Sequence, residues 1–186
     1  MTESAPSNTA TDEALIKACQ NGNTEAFRLL YQRHQGIVRS TLFHLCDPHT
    51  LDDLVQDVFL KAWKGIGNMR QDSKFSTWLY RIAWNVGSDY RKHIAKNLTK
   101  QEKLTLNTAE PSNSDWQTLH HQDLVSRGLK TLKESHAMVI ILHDLEEQSQ
   151  PEIARILEIP VGTVKSRLFH ARAQLRKFFE KEGVSL

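Results

Sequence analysis

Two cysteines in 186 residues, Cys19 and Cys46, are too few and too isolated for a disulfide framework, which excludes the small secreted scaffolds that depend on cross-links. Each reads as a small buried hydrophobe. Glycine (8) and proline (5) are scarce, so collagen-like and low-complexity architectures are excluded, and no repeat of solenoid period occurs. No long apolar run is present, and the polar start "MTESAPSNTATDE" holds no apolar signal segment, so a cytoplasmic chain is expected. No β-rich block appears. His44, Cys46 and His49 in "HLCDPH" lie close together, but no second ligand cluster joins them, and no His-Glu-x-x-His pair exists, so no metal, cofactor or small-molecule substrate is expected. What is left, 39% hydrophobic and 25% charged residues, suits an all-α chain.

An excess of charge of one sign is also missing overall, since the net charge is only +2. The distribution is uneven, however. Counting Lys and Arg against Asp and Glu, residues 1–60 carry −4, 61–103 carry +7, 104–160 carry −5 and 161–186 carry +4. Two basic blocks far apart in sequence suggest two footprints on one polyanion.

Periodicity divides the chain. Residues 1–11 are polar and read as disordered. From Asp12, Leu15, Ala18 and Cys19 recur at helical spacing, then Phe27, Leu30 and Tyr31 after "NGN", then a further helix through Ile37, Val38 and Leu42. "TLDDLVQDVFLKAWKGIG" predicts a helix capped by Thr50, with Asp52 and Asp53 in its first turn and a stripe of Leu51, Leu54, Val55, Val58 and Ala62. After the loop "NMRQDSK", the helix "FSTWLYRIAWNVGSDYRKH" buries Phe75, Leu79, Ile82 and Val86. Residues 98–118 have a linker composition, and helical periodicity returns from 119. The expected fold is all-α, with two small helical domains at 12–97 and 119–182 joined by a flexible linker.

Near the C-terminus, "SQPEIARILEIPVGTVKSRLFHARAQLR" has Ser149 as N-cap, Pro151 in the first turn and Glu152 as capping-box partner. "EIP" and Gly162 supply a turn, and the second helix is expected to bury Val164, Leu168, Ala171, Leu175 and Phe178. Two short helices across a tight turn, the second one basic, form a helix-turn-helix that can lay its second helix in a major groove. Thr163, Ser166, Arg167, Phe169, His170 and Gln174 share the outward face. Lys165, Arg172 and Arg176 suit phosphate contacts, Phe169 suits either a thymine methyl or the core margin, and Arg167 suits either DNA or an internal salt bridge.

In the first domain, Asp53, Gln56 and Asp57 lie three and four apart and make an acidic strip opposite the apolar stripe, fit for a basic partner helix. Residues 59–90 hold seven of the fourteen aromatics. Tyr80 and Trp84, off the main stripe and beside Arg81 and Asn85, suit stacking on unpaired bases.

At "DLVQDVFLKAWKGI", "FSTWLYRIAWNV" and "EIARILEIPVGTVKSRLFHARAQL" the chain resembles the extracytoplasmic-function (ECF) group of bacterial sigma factors, over about residues 12–180. The resemblance implies a region 2 bundle and a region 4 helix-turn-helix. It implies that Asp53, Gln56 and Asp57 bind the clamp helices of the polymerase β′ subunit. Asp72, Ser73, Lys74 and Asn85, with Tyr80, Arg81 and Trp84 nearby, would serve the minus-ten element. Thr163, Lys165, Ser166, Arg167, Phe169, His170, Arg172 and Arg176 would serve the minus-thirty-five element. Core RNA polymerase (β′ clamp helices and β flap), promoter DNA and an anti-sigma factor are the implied partners, without catalytic residues.

The chain departs from the family pattern at His170, where many relatives carry Arg, and at Asp57 in place of Glu. Arg81 and Ile82 stand where housekeeping sigma factors carry melting tryptophans, which implies weaker strand opening. The alternative is a conventional helix-turn-helix regulator that binds duplex without polymerase, and it leaves the acidic strip unexplained. A third class, a metal-dependent phosphohydrolase, would need bound divalent metal.

Overall fold

The computed structural model describes residues 9–69, 74–101 and 116–184, and the regular elements among them are all helical. Two compact units result, with the boundary inside the fourth helix after Gly87.

In the first unit, α1 (Asp12–Gln20) and α2 (Thr24–Phe43) are each started by a side-chain cap. Thr11 Oγ1 accepts the Ala14 N–H at 3.3 Å, and Asn23 Oδ1 accepts the Ala26 N–H at 3.0 Å. Each satisfies a backbone donor that a helix start leaves unpaired. Gly22 between them has a φ of 88°, a left-handed conformation that costs a residue with a Cβ roughly 1–2 kcal/mol, so "NGN" is a turn for a steric reason. Helix α2 runs unbroken through Gly36, where the pattern suggested separate segments. Its fully buried Leu30, Val38 and Leu42, each contributing roughly 1.5–3 kcal/mol, outweigh the roughly 1 kcal/mol that a mid-helix glycine costs.

The third helix, α3 (Leu51–Gly65), is not capped by the Thr50 side chain. Asp47 starts a short 3-10 turn one step earlier, taking the His49 N–H at 2.9 Å, and the Thr50 hydroxyl donates to the Asp47 carbonyl at 3.0 Å. The long α4 (Phe75–Gln101) lies close to its neighbours at two glycine contacts. A Cβ on Gly87 would come within 3.0 Å of Leu45 Cδ1, and one on Gly65 would meet Trp78 Cζ2 at 3.0 Å. Leu15, Leu30, Leu42, Val58 and Leu79 form the fully buried centre of this unit.

The second unit contains α5 (Trp116–Thr131), α6 (Glu134–Ile140), α7 (Gln150–Leu157) apart from Arg155–Leu157, which group with the first unit, and α8 (Val161–Lys181). Helix α6 continues as one π-helical turn, Ile141–Leu145. Leu129, Met138, Ile141 and Leu142 are fully buried, and α7 turns Ile153 and Ile156 inward. Helix α8 buries Val164, Leu168 and Ala171 as its stripe predicts. Leu175 and Phe178 are half-buried instead, packing on α5 where Gly128 leaves room: a Cβ there would meet them at 3.1 and 3.2 Å.

The turn of the helix-turn-helix differs from expectation. Gly162 is inside the first turn of α8, and Glu158 adopts the left-handed conformation (φ 54°), with the Ile159 N–H returning to the Ala154 carbonyl at 3.1 Å. The chain reverses where α7 runs out of helical carbonyl partners, so the left-handed residue is set by helix length rather than by where a glycine stands. Glu147, after the π turn, is the other left-handed non-glycine residue among those described (φ 53°), and it is exposed. Glu147→Gly is therefore expected to raise stability by about 1 kcal/mol, read as a rise of a few degrees in melting temperature.

Candidate functional site

Along α3 the apolar residues face inward, which leaves Asp53, Gln56 and Asp57 exposed on one side, as their spacing predicts. Neither Asp53 nor Asp57 has an ion-pair partner among the described residues, whereas neighbouring Asp52 is held by Arg39 of α2. The strip borders a groove of about 550 Å³ between α2 and α3. Sequence reading did not foresee this groove. Its floor is an aromatic cluster: Phe27 meets Trp63 edge-on at 5.0 Å, and Tyr31 meets Phe59 edge-on at 4.6 Å. Tyr31 and Leu60, the latter 47% exposed, leave apolar surface open at its rim. The groove's own carboxylate, Asp52, is taken by Arg39, but the unpaired Asp53 and Asp57 stand next to Gln56 on the same helix. Acidic charge beside open apolar surface fits a basic amphipathic helix.

On α4 the expected single-strand surface is only partly present. Asn85 is exposed and Trp84 and Arg81 are half-buried, with exposed Lys74 just ahead of the helix. Tyr80, expected at the surface, is 4% exposed and belongs to the core. Thr77, Ala83, Gly87 and Ser88 are buried as well, while Ile82 is only half-buried. The covered part of α4 is thus wider than the one stripe of Phe75, Leu79 and Val86, and Tyr80 falls within it. Asp72 and Ser73 lie outside the described residues. Just ahead of them, Gln20 of α1 donates from Nε2 to the carbonyls of Ile66 (3.1 Å) and Met69 (3.3 Å), a tie that no periodicity signals.

On α8, Lys165, Ser166, Phe169, His170 and Arg176 are exposed, and Thr163 and Arg167 are half-buried. Phe169 is 72% exposed, so packing at the core margin is not its role. Ser166 donates to the Thr163 carbonyl at 3.1 Å, and Gln174 Nε2 donates to the Thr131 carbonyl at 2.9 Å, which engages Gln174 inside the unit. Arg167 forms no salt bridge among the described residues. Arg172 does, so the phosphate contact expected of it has an internal competitor. Its Nε donates to Asp144 Oδ2 at 3.1 Å, its Nη2 donates to Asp144 Oδ1, and His143 Nδ1 lies 3.1 Å from Nη2. The π turn brings Asp144 to α8. Burial alone would raise the Asp144 pKa, but the hydrogen bonds from Arg172 and His143 outweigh it and hold the carboxyl below its ordinary value.

Nothing in the described residues favours metal or thiol chemistry. No three His, Cys, Asp or Glu side chains converge, and both cysteines are buried. Burial pushes the Cys19 thiol up to about 11, so it is not a thiolate at neutral pH. No helix among the described residues is long and apolar enough to cross a membrane.

Comparison with known proteins accounts for both units. Residues 30–97 match Sigma-70 region 2, and residues 122–175 match Sigma-70, region 4. The ECF RNA polymerase sigma-E factor of Escherichia coli (strain K12) is 35% identical over 173 residues, covering 87% of this chain and 91% of that protein. Among solved structures, CnrH in complex with the cytosolic domain of CnrY is 28% identical with a TM-score of 0.69, covering 91% of this chain and 97% of that one. The sigma factor RpoE, in complex with the anti-sigma factor NepR from Bartonella quintana, shares the fold at a TM-score of 0.68 and 23% identity, covering 83% of this chain and 96% of that one. With the helical fold, the helix-turn-helix and these matches together, the chain belongs to the extracytoplasmic-function sigma factors of bacterial RNA polymerase.

Proposed function

We propose that the chain joins core RNA polymerase in the cytoplasm through the acid-edged groove of α2 and α3 and directs initiation at promoters read by α4 and α8. The observation that carries this reading is the coexistence of two unlike surfaces. One offers unpaired carboxylates (Asp53, Asp57) beside Gln56 and an open apolar groove, and the other offers exposed cations (Lys165, Arg176) around an exposed ring (Phe169). The first suits the β′ clamp helices, and a duplex-only regulator has no use for it.

Lys74, Arg81, Trp84 and Asn85, with Asp72 and Ser73, serve the minus-ten element. Tyr80 supports this face from within the core instead of stacking on bases. Thr163, Lys165, Ser166, Arg167, Phe169, His170 and Arg176 serve the minus-thirty-five element. In the second domain, 119–182, the β flap holds that element in reach, and 98–118 links the second domain to the first, 12–97. The protein is a specificity subunit and performs no catalysis of its own. An anti-sigma factor competes with polymerase for the groove; CnrH, which is similar in fold, occurs in complex with the cytosolic domain of CnrY.

Run-off transcription with purified core polymerase on a pool of promoter-length fragments tests the proposal. Transcripts that depend on this protein and share two sequence elements at fixed spacing are expected. Duplex binding without any dependent transcript would overturn it.

A further inference from the structure

The helix-turn-helix leaves one residue outside α7 and α8 unaccounted for. His136 stands in the first turn of α6, its N–H donating to the Lys133 carbonyl at 2.8 Å, and its ring lies parallel to that of His170 on α8 (6.4 Å between centroids, 13° between planes). His170 in turn meets Phe169 edge-on at 5.4 Å and 77°. Three rings therefore run in series from α6 to the most exposed hydrophobic residue on α8, with His170 in the middle. Both separations fall in the range where flat rings attract one another in stacked and edge-on arrangements. Elsewhere on α8, Lys165 and Arg176 are single exposed side chains with no such backing.

We propose that His136 is a positioning residue for minus-thirty-five recognition, acting through the ring of His170. This rests on the duplex-reading role proposed for α8. Imidazole reads a base edge with one nitrogen at a time, so the direction in which the ring points decides which base it favours. A side chain free to rotate loses that freedom on binding. One already braced by a ring on each side does not, and the difference amounts to roughly two- to tenfold in affinity. His136 is suited to brace without adding charge. Its Nδ1 is buried and has no hydrogen-bond partner. Burial first, and then the nearby charges of Lys133 and Arg167, lower its pKa below the ordinary histidine value, which keeps a flat neutral ring beside His170 at neutral pH.

Two substitutions separate bracing from simple filling of space: His136→Phe keeps a plane, and His136→Leu keeps apolar bulk without one. The probe is a duplex library with one randomised helical turn, selected by the holoenzyme and sequenced. His136→Leu and His170→Ala are expected to flatten the same single position of the selected motif, with preference there falling roughly two- to tenfold, while His136→Phe keeps it sharp. In a His170→Ala background, His136→Leu is expected to change the motif no further, whereas a general loosening of the fold would still blur it. Identical motifs from the Phe and Leu variants, or loss spread evenly over all positions, would overturn the inference. A wild-type holoenzyme that selects no motif at all would instead remove the duplex-reading role of α8, a separate and recognisable failure.

Discussion

Asp53→Lys is expected to weaken binding to core polymerase by at least about thirtyfold while leaving the protein folded, since a charge pair broken within an interface costs about 2 kcal/mol or more. The fold tolerates the change because Asp53 is exposed and has no ion-pair partner among the described residues. Its one structural service is an acidic charge in the first turn of α3. Lysine there opposes the helix dipole at a cost of about 0.3–1 kcal/mol, a small part of a domain's stability. Asp57→Lys, one turn along, is expected to act alike. Asp52→Asn is the contrasting case: Arg39 already neutralises Asp52, so its loss is expected to change affinity much less. Titrations of core polymerase at low and high salt divide the acidic strip from the apolar surface beside it. The loss from Asp53→Lys shrinks as salt screens it, while the loss from Leu60→Ala, which removes apolar contact, persists. Unchanged affinity of Asp53→Lys for core would place the polymerase contact elsewhere.

The features legible in the sequence are those written by local period. The stripe Val164, Leu168, Ala171 and the exposure of Asp53, Gln56 and Asp57 follow from steps of three and four on one helix, and so they stand as expected. Ser149 was legible as a cap because capping involves only the next three residues, and its Oγ accepts the Glu152 N–H at 3.4 Å. The features missed were those made by residues far apart. Tyr80 was misplaced because periodicity shows the centre of a buried face but not its width, which depends on what packs against α4. The internal partner of Arg172 is not legible, because Asp144, 28 positions earlier, reaches it only through a π turn that no residue pattern announces. The aromatic groove was invisible because Phe27 and Tyr31 are on α2 and Phe59 and Trp63 on α3, so neither helix alone shows it. Gln20 and His136 escaped for the same reason, each acting across helices. The family resemblance proposes what periodicity cannot, which partner the acidic strip meets and a role for the loop before α4.

Lys165→Ala combined with Arg176→Ala is expected to lower affinity for minus-thirty-five duplex and to make the salt dependence of binding shallower by about 0.9 logarithmic units per phosphate contact removed. Over a fourfold rise in salt, each lost contact then makes binding about 3.5-fold less sensitive. Arg172→Ala offers the internal comparison. Its charge is already balanced by Asp144, so it releases fewer counterions on binding, and its removal is expected to leave the slope nearly unchanged. The same removal takes two hydrogen bonds from the Asp144 carboxylate and so affects stability first. Phe169→Ala separates sequence reading from charge. A ring as exposed as this one contributes little to the fold and carries no charge, so its loss is expected to leave both melting temperature and salt slope in place. What changes is base preference, by roughly 1 kcal/mol or more at the position where the ring meets a thymine methyl. Apart from this, sharpness is lost at the position His170 reads, since Phe169 also braces that ring. Replacing that thymine by uracil, which lacks the methyl, should then reproduce the Phe169→Ala loss in the wild-type protein and add nothing in the variant. Were uracil to weaken both proteins equally, Phe169 would not be the group that reads the methyl, and its exposure would have to serve another partner, with the β flap of polymerase the next to test.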